Sequence, residues 1–179
     1  MYDIPGVKTH PYTKIIGVEN IEFGTNVVID DFVLIYAGGK KLGIGNHVHI
    51  ACHSSLTGGE AIVMEDCSGI SNGVRVLTGT DDFKSWGFGN PTVPEKYRNI
   101  TRAPVHIKRF AIVGANAVIL PGVTLGEGVA VGAGCVVTRD LEPWGIYIGN
   151  RRVGQRDRDG VLRNYDQFLK ELGNLPHAA

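Results

Sequence analysis

Along Ile107–Val137 an aliphatic residue returns every six positions: Ile107, Val113, Ile119, Leu125, Val131 and Val137. A small or β-branched residue stands four places after each of the first five, at Ala111, Ala117, Val123, Val129 and Cys135. A helix repeats near 3.6 residues and an open strand near 2, so this period fits neither. Six residues suffice for one short strand and one corner, and three such faces close a triangular coil. A single coil cannot bury its aliphatic face, but a stack can. Each aliphatic side chain so buried contributes roughly 1.5–3 kcal/mol, which makes the column the main stabilising term.

The same rhythm runs less regularly through the earlier chain. Phe23, Ile29 and Ile35 form one triplet, with Val27 and Val33 in the small slots. Ile44, Ile50 and Leu56 form the next, with Val48 and Ser54; Met64, Ile70 and Val76 form a third, with Ser68 and Val74. The spacing leaves Ala37–Lys41 and Thr57–Ala61 as protruding turns. After Val76 the pattern lapses until Ile107, which predicts a long loop over Leu77–Pro104. The fold class expected is all-β: a parallel β-helix of about five coils with one large insertion and a C-terminal helix. In that helix Val161, Tyr165, Phe168, Leu169 and Leu172 share a face between Gly160 and Gly173. It is expected to cap the last coil or grip a neighbour. Residues 1–150 then form the β-helix domain, with its loop at 77–104, and residues 151–179 a basic segment and helix.

The run Ile-Val-Gly-Ala-Asn-Ala-Val-Ile-Leu-Pro-Gly-Val-Thr-Leu-Gly-Glu-Gly (112–128), followed by Val-Gly-Ala-Gly-Cys-Val-Val-Thr-Arg-Asp-Leu (131–141), resembles the hexapeptide-repeat acyltransferases. The resemblance covers residues 15–150. It implies a left-handed parallel β-helix, against the usual right-handed crossover, and a homotrimer with active sites between subunits. Thr-Gly-Thr-Asp-Asp-Phe (78–83) and Gly-Asn-Pro-Thr-Val-Pro-Glu-Lys-Tyr (89–97) are most similar to a narrower group. Those enzymes acylate amino-deoxy sugar nucleotides for bacterial surface glycans. Leu-Glu-Pro-Trp-Gly-Ile-Tyr-Ile-Gly-Asn (141–150) fits the same group.

Composition narrows the picture. The 25 glycines among 179 residues are about double the usual ~7% share, and the repeat assigns many of them to corners, where they would relieve backbone angles. Eighteen basic residues balance eighteen acidic ones, without the basic excess of a nucleic-acid binder. No apolar run reaches the ~18 residues of a membrane span, and Met1–His10 lacks a signal peptide's charged start and apolar core. The three cysteines, Cys52, Cys67 and Cys135, are odd in number and widely spaced, which suits a reducing, cytoplasmic compartment.

The chemistry is expected in the loop. Related galactoside and maltose acetyltransferases carry a catalytic histidine in the corresponding stretch, poised to deprotonate a hydroxyl. Here Asp81 and Asp82 stand there instead. A neutral amine is already nucleophilic and needs a carboxylate only to orient it and take up a proton. N-acylation is therefore favoured over O-acylation of a sugar hydroxyl, which is the alternative. Asp82 is the expected principal carboxylate with Asp81 assisting, and His49 is the competing base. Glu95, Tyr97 and Trp86 are expected to contact the sugar nucleotide. The other class considered, a catalytically silent scaffold, leaves the polar loop without a purpose.

The resemblance also implies acyl-CoA, acetyl-CoA above all, as co-substrate. Gly114, Ala115, Ala133, Thr138 and Arg139 match the family's CoA positions. After Gly149-Asn150 the family's usual Pro-Ala-Lys is replaced by Arg151-Arg152-Val153, and five arginines lie within 151–163. Arg152 and Arg156 are the candidates for phosphate contact. His47, His49 and His53 raise a zinc reading, but their H-x-H and H-x3-H spacings differ from the H-x4-H of the trimeric β-helix carbonic anhydrases. No metal is expected.

Overall fold

The computed structural model describes residues 2–174. Short parallel strands stack in three sheets, one per face of a triangular prism. The first face carries seven parallel strands, Val7–Thr9, Val27–Ile29, His49–Ile50, Gly69–Ile70, Ile112–Val113, Ala130–Val131 and Gly145–Ile148, and an antiparallel eighth, Arg151–Gln155. The second face runs from Lys14–Ile16 to Val136–Val137, and the third from Ile21–Phe23 to Thr124–Leu125. The column of the sequence is the core: Ile29, Ile35, Ile107, Ile119, Leu125 and Val137 are fully buried. Every small slot from Val27 to Cys135 is buried behind it.

The prism begins and ends one coil beyond the expected five. Thr9 pairs with Ile29 and Ile15 with Ile35, so a first coil precedes the Phe23 triplet with a threonine in the aliphatic column. Tyr147 pairs with Val131 and opens the last coil. Both columnar residues are buried, but neither is aliphatic, which hides them from the period.

The corners correct a further expectation. Phe32, His53, Cys67, Phe110, Asn116 and Trp144 hold positive φ at corners without being glycine. Gly114, by contrast, has no positive φ; a Cβ there would stand 2.5 Å from the Ala133 amide of the next coil. Close stacking, rather than backbone angle, demands that glycine.

The hairpin Gly145–Ile148/Arg151–Gln155 closes the end of the first face. Helix α1, Arg158–Asn174, does not cap the last coil. It runs back along the corner between the third and first faces: Tyr165 meets Phe110 edge-on at 4.9 Å and Phe168 meets His47 at 4.9 Å. Gly160 lies inside the helix, where its N–H donates to Asp157 Oδ1 at 2.9 Å, an N-cap bond. Leu169 is exposed rather than on the packed face. Gly173 likewise falls inside the helix rather than after it, and residues 175–179 lie outside the described residues.

Candidate active site

The long loop leaves the second face after Arg75–Leu77 and rejoins the third at Val105–Ile107, so it projects from the corner between those faces. Its root is a two-strand ladder, Gly79–Thr80 against Thr101–Arg102. Neighbouring aspartates at that root are used in opposite ways. The Asp82 carboxylate accepts the N–H groups of Lys84 and Ser85 at 2.8 Å, that of Gly87 at 3.2 Å and the Asn99 amide at 3.0 Å. The Lys84 N–H, then the Asn99 amide, hold its acidity near a pKa of about 2. A carboxylate so engaged and so weakly basic organises the loop and makes a poor proton acceptor. The bonds that Asp82 accepts run to the loop's own backbone and to Asn99, so its carboxylate is engaged in holding the loop.

Asp81 is held differently. Arg98 donates to its Oδ1 through Nη2 at 2.8 Å and Nε at 3.3 Å, and the pair is mostly buried. Oδ2 has no donor among the described residues, and Asp81 lines a hollow of about 160 Å³ with Gly58, Thr80, Arg98 and Arg102. This geometry leaves a carboxylate oriented by Arg98, with one oxygen unengaged among the described residues.

The remaining loop candidates separate. Glu95 is exposed and lies 3.9 Å from Arg102, which lines that hollow. Tyr97 has Lys96 4.8 Å above its ring, and Trp86 is 65% exposed on the outer surface of the loop.

His49 belongs elsewhere, on the first face. Its Nε2 lies 3.0 Å from Asp30 Oδ2, and His10 Nε2 lies 3.9 Å from Asp30 Oδ1. It borders a hollow of about 240 Å³ with Gly69, Ser71, Asn72 and Ile112 at the corner between the first and second faces. Sequence reasoning missed Asp30 and Ser71, since only coil stacking brings them to His49. His47 is held at the helix and His106 is bonded to Glu65 at 2.6 Å. Among the described residues no cluster of three His, Cys, Asp or Glu side chains is arranged to hold a metal.

The seven CoA candidates fall in four places. Gly114, Ala115 and Ala133 follow the His49 hollow up the first–second corner, because Asn116 N–H donates to Asn72 C=O and Gly134 N–H to Ala115 C=O. The N–H groups of Ala115 and Ala133 have no acceptor among the described residues. Thr138 and Arg139 lie instead at the second–third corner, above the loop. There Asn150 accepts the Thr138 N–H at 2.9 Å and donates to its hydroxyl at 2.8 Å, while Arg139 Nη2 donates to Asn150 C=O at 3.1 Å. Arg152 donates to Gln155 and Gly154 on its own hairpin. Arg156 is half-buried and donates to the carbonyls of Phe110 at 2.6 Å and Gly128 at 3.1 Å. Its guanidinium therefore clamps the third–first corner.

Residues 104–139 match the bacterial transferase hexapeptide family (six repeats). The chain is 35% identical over 164 residues to dTDP-4-amino-4,6-dideoxy-D-glucose acyltransferase of Escherichia coli, covering 92% of this chain and 85% of that protein. Among solved structures it is similar to AntD, an N-acyltransferase from Bacillus cereus in complex with dTDP and 3-hydroxybutyryl-CoA. The TM-score is 0.87 at 36% identity, covering 94% of this chain and 89% of AntD. A maltose O-acetyltransferase from Clostridium difficile, at 19% identity and a TM-score of 0.57, shares the fold alone.

Proposed function

The chain belongs to the hexapeptide-repeat acyltransferases, and on that premise we propose that it transfers an acyl group from CoA to the amine of a nucleotide-linked amino-deoxy sugar. The observation that carries the reading is the breadth of the match. Similarity to an N-acyltransferase spans 94% of this chain and is not confined to the repeat. A variant of that enzyme has been solved with dTDP-4-amino-4,6-dideoxyglucose and coenzyme A, which supports a dTDP-linked 4-amino sugar as acceptor here. The donor is acetyl-CoA or a short acyl-CoA, the compartment is the cytoplasm, and the product serves a surface glycan.

Asp81 takes the role first given to Asp82. Its free Oδ2 orients the sugar nitrogen, whose lone pair attacks the thioester carbonyl carbon. The C–S bond then breaks, CoA leaves as thiolate, and the proton shed by nitrogen ends on sulfur. The unpaired N–H groups at Ala115 and Ala133 suit the thioester oxygen or the pantetheine amides. That track and the Asp81 loop stand at different corners of one protomer, which supports a homotrimer whose sites form where one chain's loop meets its neighbour's track.

The test is thiol release from acetyl-CoA and longer acyl-CoAs against dTDP-, UDP- and GDP-linked amino sugars and their hydroxyl analogues. Turnover with amines alone is expected. Turnover with hydroxyl analogues alone would replace the reading with O-acylation.

A further inference from the structure

The returning limb of the loop is fixed bond by bond up to Arg98. Pro94 has its φ set by its ring, and a turn of 3-10 helix, Glu95–Tyr97, follows it. The Tyr97 N–H donates to Pro94 C=O at 3.0 Å, and the Arg98 N–H donates to Glu95 C=O at 2.9 Å and ends the turn. The Tyr97 C=O accepts the Phe88 N–H at 2.9 Å, which ties the turn to the rest of the loop. Arg98 then leaves in extended backbone, from a chain already held on its N-terminal side.

Two side-chain rungs extend the root ladder past its last backbone pair. Gly79 pairs with Arg102 and Thr80 with Thr101, so the same antiparallel register sets Asp82 opposite Asn99, whose amide reaches Asp82 Oδ2 at 3.0 Å. Asp81 is joined on the diagonal instead, by Arg98. A guanidinium often spans both oxygens of a carboxylate, and that would close the group to a ligand. Here both donors, Nη2 at 2.8 Å and Nε at 3.3 Å, converge on Oδ1. The grip fixes the carboxylate and leaves Oδ2 open. The other charges nearby are engaged elsewhere. Arg102 lines the Asp81 hollow with the exposed Glu95 3.9 Å away, and Glu60, which shares the adjoining hollow with Arg102, turns Oε1 to the Ala61 N–H at 3.2 Å. Among the described residues Arg98 is the cation bonded to Asp81.

We infer that Arg98 is a positioning residue for acyl transfer: it acts through Asp81, holding the carboxylate by one oxygen so that the other meets the acceptor's nitrogen. The inference rests on the acceptor reading above and deepens it. An unheld aspartate hops among rotamers, and two donors on one oxygen remove most of that freedom. A misplacement of about 1 Å costs on the order of 100-fold in rate, so the reach and planarity of the guanidinium matter. Lysine would bring a point charge on a flexible stem and hold the carboxylate less closely. The turn Glu95–Tyr97 gains a purpose as well, since it delivers Arg98 to the diagonal.

Steady-state kinetics on Arg98→Met, Arg98→Ala and Arg98→Lys of the full chain test this, with melting temperature and the rate of proteolysis between Phe83 and Asn99 measured alongside. Arg98→Met keeps much of the side chain's bulk and is expected to lower kcat about 100-fold, while the acyl-CoA KM stays within about twofold. Arg98→Lys is expected to recover part of the loss. Guanidinium ion, added to Arg98→Ala well below the concentration that unfolds the chain, is expected to restore turnover saturably, and to restore none in Asp81→Asn. A strut that merely held the loop would instead give faster proteolysis, a raised sugar-nucleotide KM and no response to guanidinium. That result, or a kcat for Arg98→Met within about threefold of wild type, overturns the inference. A wild-type chain that acylates hydroxyl analogues alone, with the same dependence on Arg98, overturns the acceptor reading and leaves the positioning role standing. A chain with no acyl transfer at all overturns both.

Discussion

Asp81 and Asp82 are chemically identical and adjacent, and what separates them is which donors the loop folds around each. Asp81→Asn keeps the Arg98 contact at Oδ1 but removes the charge, so kcat should fall at least about 100-fold, within the 10²–10⁴ range of a lost proton-handling group. The acyl-CoA KM should change little, and steady-state kinetics against both substrates check the split. Asp82→Ala should act on the loop instead, raising the sugar-nucleotide KM and the rate of proteolysis between Phe83 and Asn99. The pH dependence follows from the same bonds. The folded Asp82 value of about 2 lies below its ordinary 3.8. Its support of the loop is therefore complete above about pH 4 and lost as pH falls toward 2, which Trp86 fluorescence would report. A third residue tests the core: Ser68 Oγ is buried without a hydrogen-bond partner among the described residues. Ser68→Ala removes a desolvated hydroxyl and should be neutral or stabilising by about 1 kcal/mol, read as a rise in melting temperature.

At the scale of elements, the aliphatic period was legible because the column tolerates little else along Ile107–Val137. It failed where Thr9 and Tyr147 stand in the column, since a buried threonine and tyrosine break the pattern without breaking the coil. Corners were legible only in part. Phe110 and Trp144 take positive φ because helix α1 and the hairpin cover them, a tertiary reward that no local preference announces. Gly160 looked like a boundary and is an interior residue that admits the Asp157 cap. A Cβ there would stand 2.3 Å from Asp157 Oδ2. Gly160→Ala should therefore displace the cap and cost about 1 kcal/mol, despite alanine's better helix propensity, and thermal melting of the variant gives the sign. The site was legible as a loop with two aspartates. The hollow at Asp81 was not, because Gly58 and Arg102 lie far from Asp81 in sequence and meet it only through coil stacking and the loop's root ladder.

For the whole molecule, the decisive geometry is the separation of two corners. Gly114, Ala115 and Ala133 climb the edge between the first and second faces, while Asp81 projects from the edge between the second and third. The second face stands between them, so under the proposed function one protomer holds two half-sites. An assembly that completes the site must juxtapose the loop corner of one chain with the track corner of another, which a closed ring of three does with each chain used once on each side. Subunit complementation tests this directly. Asp81→Asn disables the loop side, and Ala133→Glu, at an exposed corner, obstructs the track without entering the core. Each homogeneous variant should be nearly inactive. Mixed at equal amounts under conditions that exchange subunits, they should recover about a quarter of wild-type activity, because one interface in four pairs an intact loop with an intact track in a random closed ring. If each site were built within a single chain, every chain in the mixture would carry one lesion, and no activity would return.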